Sequence, residues 1–288
     1  MTTLDVALLR SWIGRRETLE DRCDPRKVAD LAATLDRDAA PRVGEALPPG
    51  WHWMFFNPMV RARDLGPDGH PRRGGFLPPV PLPRRMWAGG RLSFRAPIPV
   101  GAELRRYSEI AAVDPKQGRS GDMVFVLLRH RIFAGDVFAI EEEHDIVYRE
   151  APAPGAPAPA GAPAPARDAA RWQRTITPDP VLLFRYSALT ANGHRIHYDY
   201  PYVTQVEGYP GLVFHGPLTA TLLMGLAEEA LGGPLGRFAF RNRAPLFDTA
   251  AFTIAAAPAA DGGLRLWATG PTGALATEAE AMPLPLPG

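Results

Sequence analysis

Several ordinary features are missing from this sequence, and each absence excludes something. There is one cysteine, Cys23, in 288 residues. No intrachain disulfide framework can form, and such usage fits a reducing cytoplasm. No apolar run reaches the roughly 18 residues that a membrane-spanning helix needs. Charge of one sign is not in excess: 32 basic and 31 acidic side chains leave a net charge of +1. That balance carries no electrostatic footprint for nucleic acid. The N-terminal M-T-T-L-D-V-A-L-L-R-S-W-I has early charges and no small-residue cleavage site behind an apolar core, so it reads as mature sequence.

Proline and glycine are abundant instead, at 32 and 28 residues. Much of the excess lies in one stretch and in loops. Residues 151–166 consist of six prolines, eight alanines and two glycines. Such a segment has nothing to bury and is expected to be a semi-rigid polyproline-like spacer, on the order of 50 Å if extended. It divides the chain into an N-terminal part, 1–150, and a C-terminal part, 167–288.

The two parts echo each other. G-R-L-S-F-R-A-P-I from Gly90 to Ile98 matches G-R-F-A-F-R-N-R-A-P-L from Gly236 to Leu246. Alternating apolar and polar residues then predict antiparallel strands over Glu103–Val113, Met123–Phe133 and Val137–Tyr148 in the first part. The second part repeats this over Ala251–Ala256, Leu264–Thr269 and Leu275–Ala281. A helix is expected before each set, at Pro25–Asp38 and at Pro217–Leu231. In the second helix Leu218, Leu222, Leu223, Leu226 and Ala230 form one stripe, which predicts a buried helix with one wet face. Each part thus reads as an α+β unit, a curved sheet over a helix.

Chemistry concentrates between Phe184 and Met224, which holds three of the seven histidines: His194, His197 and His215. This stretch shows little plain periodicity until His215-Gly216-Pro217, where a helix begins. Pro217 suits a first turn, and the free N–H groups and positive dipole end there favour an oxyanion or a carbonyl. A neutral imidazole beside such a terminus is suited to acid–base work near pH 7. His194, His197 and Asp199 also spell H-x-x-H-x-D, which sketches metal ligands. The spacing matches no strong metal signature, and no metal or other cofactor is expected.

L-T-A-N-G-H-R-I-H-Y-D, with H-G-P-L further on, resembles the motif of MaoC-like hot-dog hydratases. The wider run R-Y-S-A-L-T…E-G-Y-P-G-L-V-F-H-G-P-L is similar to type 2 hydroxyacyl-thioester dehydratases and to double hot-dog mesaconyl-C4-CoA and itaconyl-CoA hydratases. L-P-P-G-W-H-W at Leu47–Trp53 and F-L-P-P-V-P-L-P-R-R-M-W-A-G-G at Phe76–Gly90 resemble the N-terminal half of that group. The resemblance implies a double hot dog, with a degenerate first repeat and a catalytic second repeat. It implies a hydro-lyase that adds water to an enoyl-CoA, working as a cytoplasmic homodimer without nucleic acid or membrane. His197 takes the place of the catalytic histidine, and the Gly216 amide that of the group polarising the thioester carbonyl.

Where the MaoC pattern has Asp, this chain has Asn192. Asparagine cannot exchange a proton but can orient water, so His197 is expected to be the sole acid–base group. His215 is expected beside the site with its side chain facing away, and His194 as a structural histidine. Asp199 is expected to cap or anchor the loop. Tyr186, Tyr198 and Tyr202 are expected to pack, with Tyr186 counted among the residues around the substrate. Arg84 and Arg85 are candidates for anion recognition, either of CoA phosphates or of a carboxylate on a branched acyl group such as mesaconyl or itaconyl. Trp51, Trp53, Phe55, Phe56 and Trp87 read as core or tunnel wall. A hot-dog thioesterase would want a carboxylate early in the Pro217 helix, whose acidic residues come late, at Glu228 and Glu229. A non-catalytic acyl-CoA-binding protein is the third reading.

Overall fold

The computed structural model describes residues 4–118, 121–151, 163–165 and 169–285. Most of the Ala/Pro stretch expected to join the two parts, 152–162 and 166, lies outside the described residues. Among the described residues there are ten strands in one antiparallel sheet. In chain order they are β1 (Arg16–Arg22), β2 (Arg84–Phe94), β3 (Glu103–Gly118), β4 (Gly121–Ala134), β5 (Val137–Arg149), β6 (Trp172–Ile176), β7 (Leu235–Asn242), β8 (Phe252–Pro258), β9 (Leu264–Thr269) and β10 (Leu275–Pro283). Their spatial order is β1-β3-β4-β5-β2-β7-β10-β9-β8-β6. The first five strands therefore run in the same relative order as the last five, reflected about the β2–β7 pair. The echo in the sequence is an echo in topology, and the architecture is the α+β double hot dog.

Every strand expected from alternation is present, at slightly different bounds. The two that alternation missed, β1 and β6, are the outer edges of the sheet. R-E-T-L-E-D-R and W-Q-R-T-I have little apolar content because edge strands bury little.

Among the described residues there are four α-helices, α1 (Val6–Arg10), α2 (Pro25–Thr34), α3 (Pro180–Leu189) and α4 (Gly216–Leu231). Helices α2 and α3 start alike. The carboxylates of Asp24 and Asp179 accept backbone N–H bonds of the first turn, and proline follows where its missing donor is harmless. Helix α4 lies against β7, β8, β9 and β10. Its buried residues include Thr219, Ala220, Thr221 and Ala227 as well as Leu218, Leu223 and Leu226 of the expected stripe, whereas Leu222 and Ala230 are half-buried. The expected wet face is therefore narrow, because sheet, loop and first-half residues enclose the helix on most sides. It ends at Gly232, whose φ of +68° is the left-handed conformation glycine tolerates best.

The first half differs. Helix α2 packs against α3 and against a 3₁₀ turn, Trp51–Met54, rather than running down its own sheet. That turn is buried at all four residues. It is fastened to β5 through the Glu142 carboxylate, which accepts from Trp53 Nε1–H at 2.7 Å and bonds His52 Nε2 at 3.1 Å, with His144 as a third partner. Burial pushes the Glu142 carboxyl up, but His144 and His52 outweigh it and hold the group well below the usual carboxylate range. The ring of Trp53 reaches Trp87 on β2 and Phe240 on β7. One apolar core thus runs through both halves, and Trp51, Phe55 and Phe56 belong to it as expected.

Candidate active site

The His-bearing segment follows α3 as a series of tight turns. Thr190 closes α3 and Ala191 takes φ +49°. A 3₁₀ turn spans Arg195–His197, and a wider π-type turn spans Tyr202–Val206. Sequence periodicity missed α3 because its apolar residues face all ways, with Val181 and Phe184 exposed. The Asp179-Pro180 pair, a helix-start signal of the same kind as Asp24-Pro25, marks it.

His197 is buried, and its Nδ1 lies 2.7 Å from the carbonyl oxygen of Val213. Only an N–H can bond a carbonyl, so Nδ1 carries the proton and Nε2 presents its lone pair. Burial pulls the His197 pKa down to about 4, so the ring is neutral at pH 7. His215 stacks on it, with centroids 3.7 Å apart and planes 16° from parallel. His215 is also the residue immediately before the first turn of α4. The stack therefore places His197 one ring away from a helix N-terminus. Among the described residues no acceptor takes the Gly216 N–H. His215 is completely buried, with Nε2 2.8 Å from Ser187 Oγ. Burial keeps it far below the ordinary histidine pKa.

The other candidates divide. Asn192 Oδ1 accepts the His194 N–H at 3.0 Å, which shapes the turn leading to His197. Asp199 is committed to Arg195, 2.8 Å away, and to the Tyr202 N–H. It anchors the loop, and the H-x-x-H-x-D pattern does not converge. Tyr186 is buried in the core beside His215, and Tyr202 is mostly buried, whereas Tyr198 is exposed. Arg84 is spent within the fold: its guanidinium meets the Glu207 carboxylate at 3.1 Å and its carbonyl at 2.7 Å, and lies over the Tyr209 ring. Arg85 has no carboxylate partner among the described residues, and its charge bears on His70 and His194.

Sequence reasoning missed one group entirely. A hairpin of the first half, Asp64–Arg72, docks on the loop before His197. The Arg195 N–H donates to Asp68 O at 2.9 Å, and Arg195 Nη1 donates to Pro67 O at 3.0 Å. The backbones of Gly69 and Gly193 touch: a Cβ on Gly69 would lie 1.9 Å from Gly193 O, and φ there is +87°. No side chain fits at that contact. At the hairpin tip Asp68 Oδ2 accepts from His70 Nδ1–H at 3.0 Å. The His70 ring lies 4.1 Å from that of His194, which lies 5.5 Å from that of His197. Asn242 was also missed. It rests against Gly216 and ties β7 to β2 by donating to Trp87 O at 2.9 Å.

Asp68, His70 and His194 bring possible ligand atoms within 4.8 Å of one another. A cation there is disfavoured on two counts. Asp68 and His70 already satisfy each other, and the Arg85 charge faces the cluster. A separate cavity of about 330 Å³, lined by Leu47, His52, Phe94 and Glu228 among others, opens near the far end of α4 and holds none of the candidate residues.

Residues 50–248 match the family model of hydroxyacyl-thioester dehydratase type 2. The chain belongs to that family. It is 50% identical over 273 residues to the mesaconyl-C(4)-CoA hydratase of Chloroflexus aurantiacus, covering 93% of this chain and 95% of that one. It is 27% identical to the mitochondrial type 2 hydroxyacyl-thioester dehydratase of Schizosaccharomyces pombe, covering 70% and 75%. Among solved structures, HtdX of Mycobacterium tuberculosis superposes with a TM-score of 0.67 at 19% identity, covering 93% of this chain and 99% of that one. A second M. tuberculosis protein, with a double hot-dog fold, gives 0.56 at 17% identity over 93% and 95%. The structural likenesses bear on fold alone. The family and the half-identical relative make the chain a hydro-lyase.

The buried neutral histidines link the site to stability. His197 has a folded pKa of about 4, and His130, His194 and His215 are lowered as well. In the unfolded chain they would titrate near 6.5. A depressed folded pKa means that the unfolded state binds more protons as pH falls, so stability is present above about 6.5 and is lost below it. Melting temperature is therefore expected to stay flat from pH 8 to about 6.5 and to fall steadily towards pH 5. A curve that is flat or rising over that lower window would contradict neutral burial.

Proposed function

We propose that the chain hydrates the double bond of an enoyl-CoA thioester reversibly, with His197 as the sole proton-transfer residue. The observation carrying this reading is the Nδ1–H bond to Val213, which leaves a neutral Nε2 beside the start of α4. Nε2 takes a proton from water as the oxygen bonds the β-carbon. The π pair moves onto the thioester oxygen, where the Gly216 N–H and the positive end of α4 stabilise the enolate. The imidazolium then returns its proton to the α-carbon. Asn192 positions the water, and His215, backed by Tyr186, shapes the wall behind the His197 imidazole. Dehydration of a 3-hydroxyacyl thioester, the reaction named by the wider family, is the same sequence reversed. A thioesterase reading lacks support, since the first acidic residue on α4 is Glu228, far from Gly216.

The acyl group is proposed to be branched and carboxylated, of the mesaconyl-C4 or itaconyl kind. Half-identity to a mesaconyl-C4-CoA hydratase supports this, as does the half-buried Arg85, which bonds the Tyr148 hydroxyl and has no carboxylate partner among the described residues. With the thioester at C4, the mesaconyl carboxylate sits on the very carbon that hydroxide attacks, and its negative charge opposes that attack. A guanidinium relieves the repulsion, and Arg85 is better placed for this than Arg84.

In this reading residues 1–150 form a repeat without a base of its own, 151–166 a spacer, and 167–288 the catalytic repeat. The enzyme works in a reducing cytoplasm as a homodimer, with no nucleic-acid or membrane partner.

His197→Ala is expected to abolish loss of enoyl-thioester absorbance, whereas Asn192→Asp keeps part of it; an active His197→Ala enzyme overturns the assignment. Arg85→Ala is expected to lower kcat/KM on mesaconyl-C4-CoA by about tenfold or more relative to crotonyl-CoA, the loss of one charge-assisted contact. An unchanged ratio removes Arg85 from substrate selection. Light scattering is expected to give twice the chain mass, and a monomer mass refutes the dimer.

A further inference from the structure

The hairpin Asp64–Arg72 is a first-half element with no part in its own repeat's sheet, yet it is locked onto the second half's catalytic loop. The lock is specific: two Arg195 hydrogen bonds and a glycine–glycine backbone contact that admits no side chain. Asp68 holds His70 through both its backbone N–H and its ring Nδ1–H, so Nε2 is aimed away from the hairpin. The side chain of His70 is 18% exposed, so it is reachable from one side only.

We propose that His70, oriented by Asp68, completes with Arg85 a clamp for the acyl carboxylate beside His197. The inference rests on the carboxylated-acyl reading above. The ring sequence His70, His194, His197 puts the clamp next to the base, and the carboxylate of a mesaconyl-C4 thioester is one bond from the attacked carbon.

The charges around His70 dictate its state. Facing it are Asp68 and Arg73 from its own segment, Arg85 from β2, and His194 and His197 from the catalytic loop. Arg73 is already occupied by the carbonyls of Val80, Leu82 and Pro83. His194 and His197 stay neutral. In the empty site Asp68 faces two guanidinium charges, Arg85 and Arg73, and burial together with that positive excess keeps His70 neutral, below its ordinary pKa. The Nδ1 proton is held by Asp68, so Nε2 of the neutral ring carries only a lone pair and repels a carboxylate oxygen. A carboxylate offsets the positive excess and bonds Nε2 when that nitrogen takes up a proton and donates it as a charge-assisted bond. Binding and proton uptake are then linked. The carboxylate is gripped more weakly as pH rises, while an acyl group without one is indifferent.

The test uses the whole enzyme. Titration calorimetry in buffers of different ionisation enthalpy, near pH 7, compares 2-methylsuccinyl-C4-CoA with butyryl-CoA, both saturated and unreactive. Uptake of up to one proton is expected with the first and none with the second; equal uptake, or none with either, overturns the proposal. In kinetics, His70→Asn is expected to lower the mesaconyl-C4 to crotonyl ratio of kcat/KM about tenfold. His70→Lys, a permanent cation, is expected to restore much of that ratio and to flatten its pH dependence. If His70→Asn depresses both substrates equally, its role is structural and the proposal fails. If the wild-type enzyme shows no preference for mesaconyl-C4-CoA, the acyl reading fails first; if the preference stands and His70→Asn leaves the ratio unchanged, only the clamp fails.

Discussion

Strands β2 and β7 pair through Gly89–Arg241 to Ser93–Arg237, and this backbone ladder makes one sheet out of two repeats. Everything at the site depends on it. The paired strands bring G-R-L-S-F and G-R-F-A-F side by side, so Leu92 and Phe238 lie opposite each other and share a core. Asn242, just past the ladder on β7, reaches back to Trp87 on β2 and lies against the first residue of α4. A shift of one residue in this pairing would turn the buried faces outward and pull the α4 N-terminus away from the first half.

The two repeats share a topology and differ in what fills the sheet. In the second, α4 runs along it and sets its N-terminus next to the stacked His197 and His215 rings. In the first, an aromatic turn held by a buried glutamate does the filling. The first repeat reaches the candidate site by another route: its hairpin crosses to the second repeat and sets Asp68 and His70 beside the His194–His197 loop. The candidate site is thus composite, with the proposed base and carbonyl-binding amide from one repeat and the proposed anion clamp from the other.

The pattern of neutral histidines has one cause. Three of the seven, His130, His197 and His215, are buried and His194 is half-buried; among the described residues none of the four has a carboxylate within hydrogen-bond reach, and burial disfavours the charged ring. His197 is the one whose tautomer is fixed by a main-chain carbonyl, which leaves Nε2 with a lone pair. His70, with a carboxylate partner and a guanidinium neighbour, is poised to respond to an incoming anion.

Much of this was legible in the residues themselves. Alternation marked eight of ten strands because inner strands bury one face against the core. The Ala-Pro echo marked the duplication, and His197 with Gly216 stood out because a histidine loop running into a proline-started helix is a local pattern. Edge strands β1 and β6 left no such trace, since a half-paired strand has little to bury. Nothing local separates Arg84 from Arg85, or links Asp68 and His70 to a loop more than 120 residues away. Those facts depend on which side chain finds a partner once the halves close. Glu207 takes Arg84, Arg85 has no carboxylate partner among the described residues, and two glycines let one backbone rest on another. The sequence by itself determined most of the elements and singled out the histidine proposed as the base, through periodicity and local spacing. Only the tertiary structure decided which charges stayed free, because pairing is a property of distance in space.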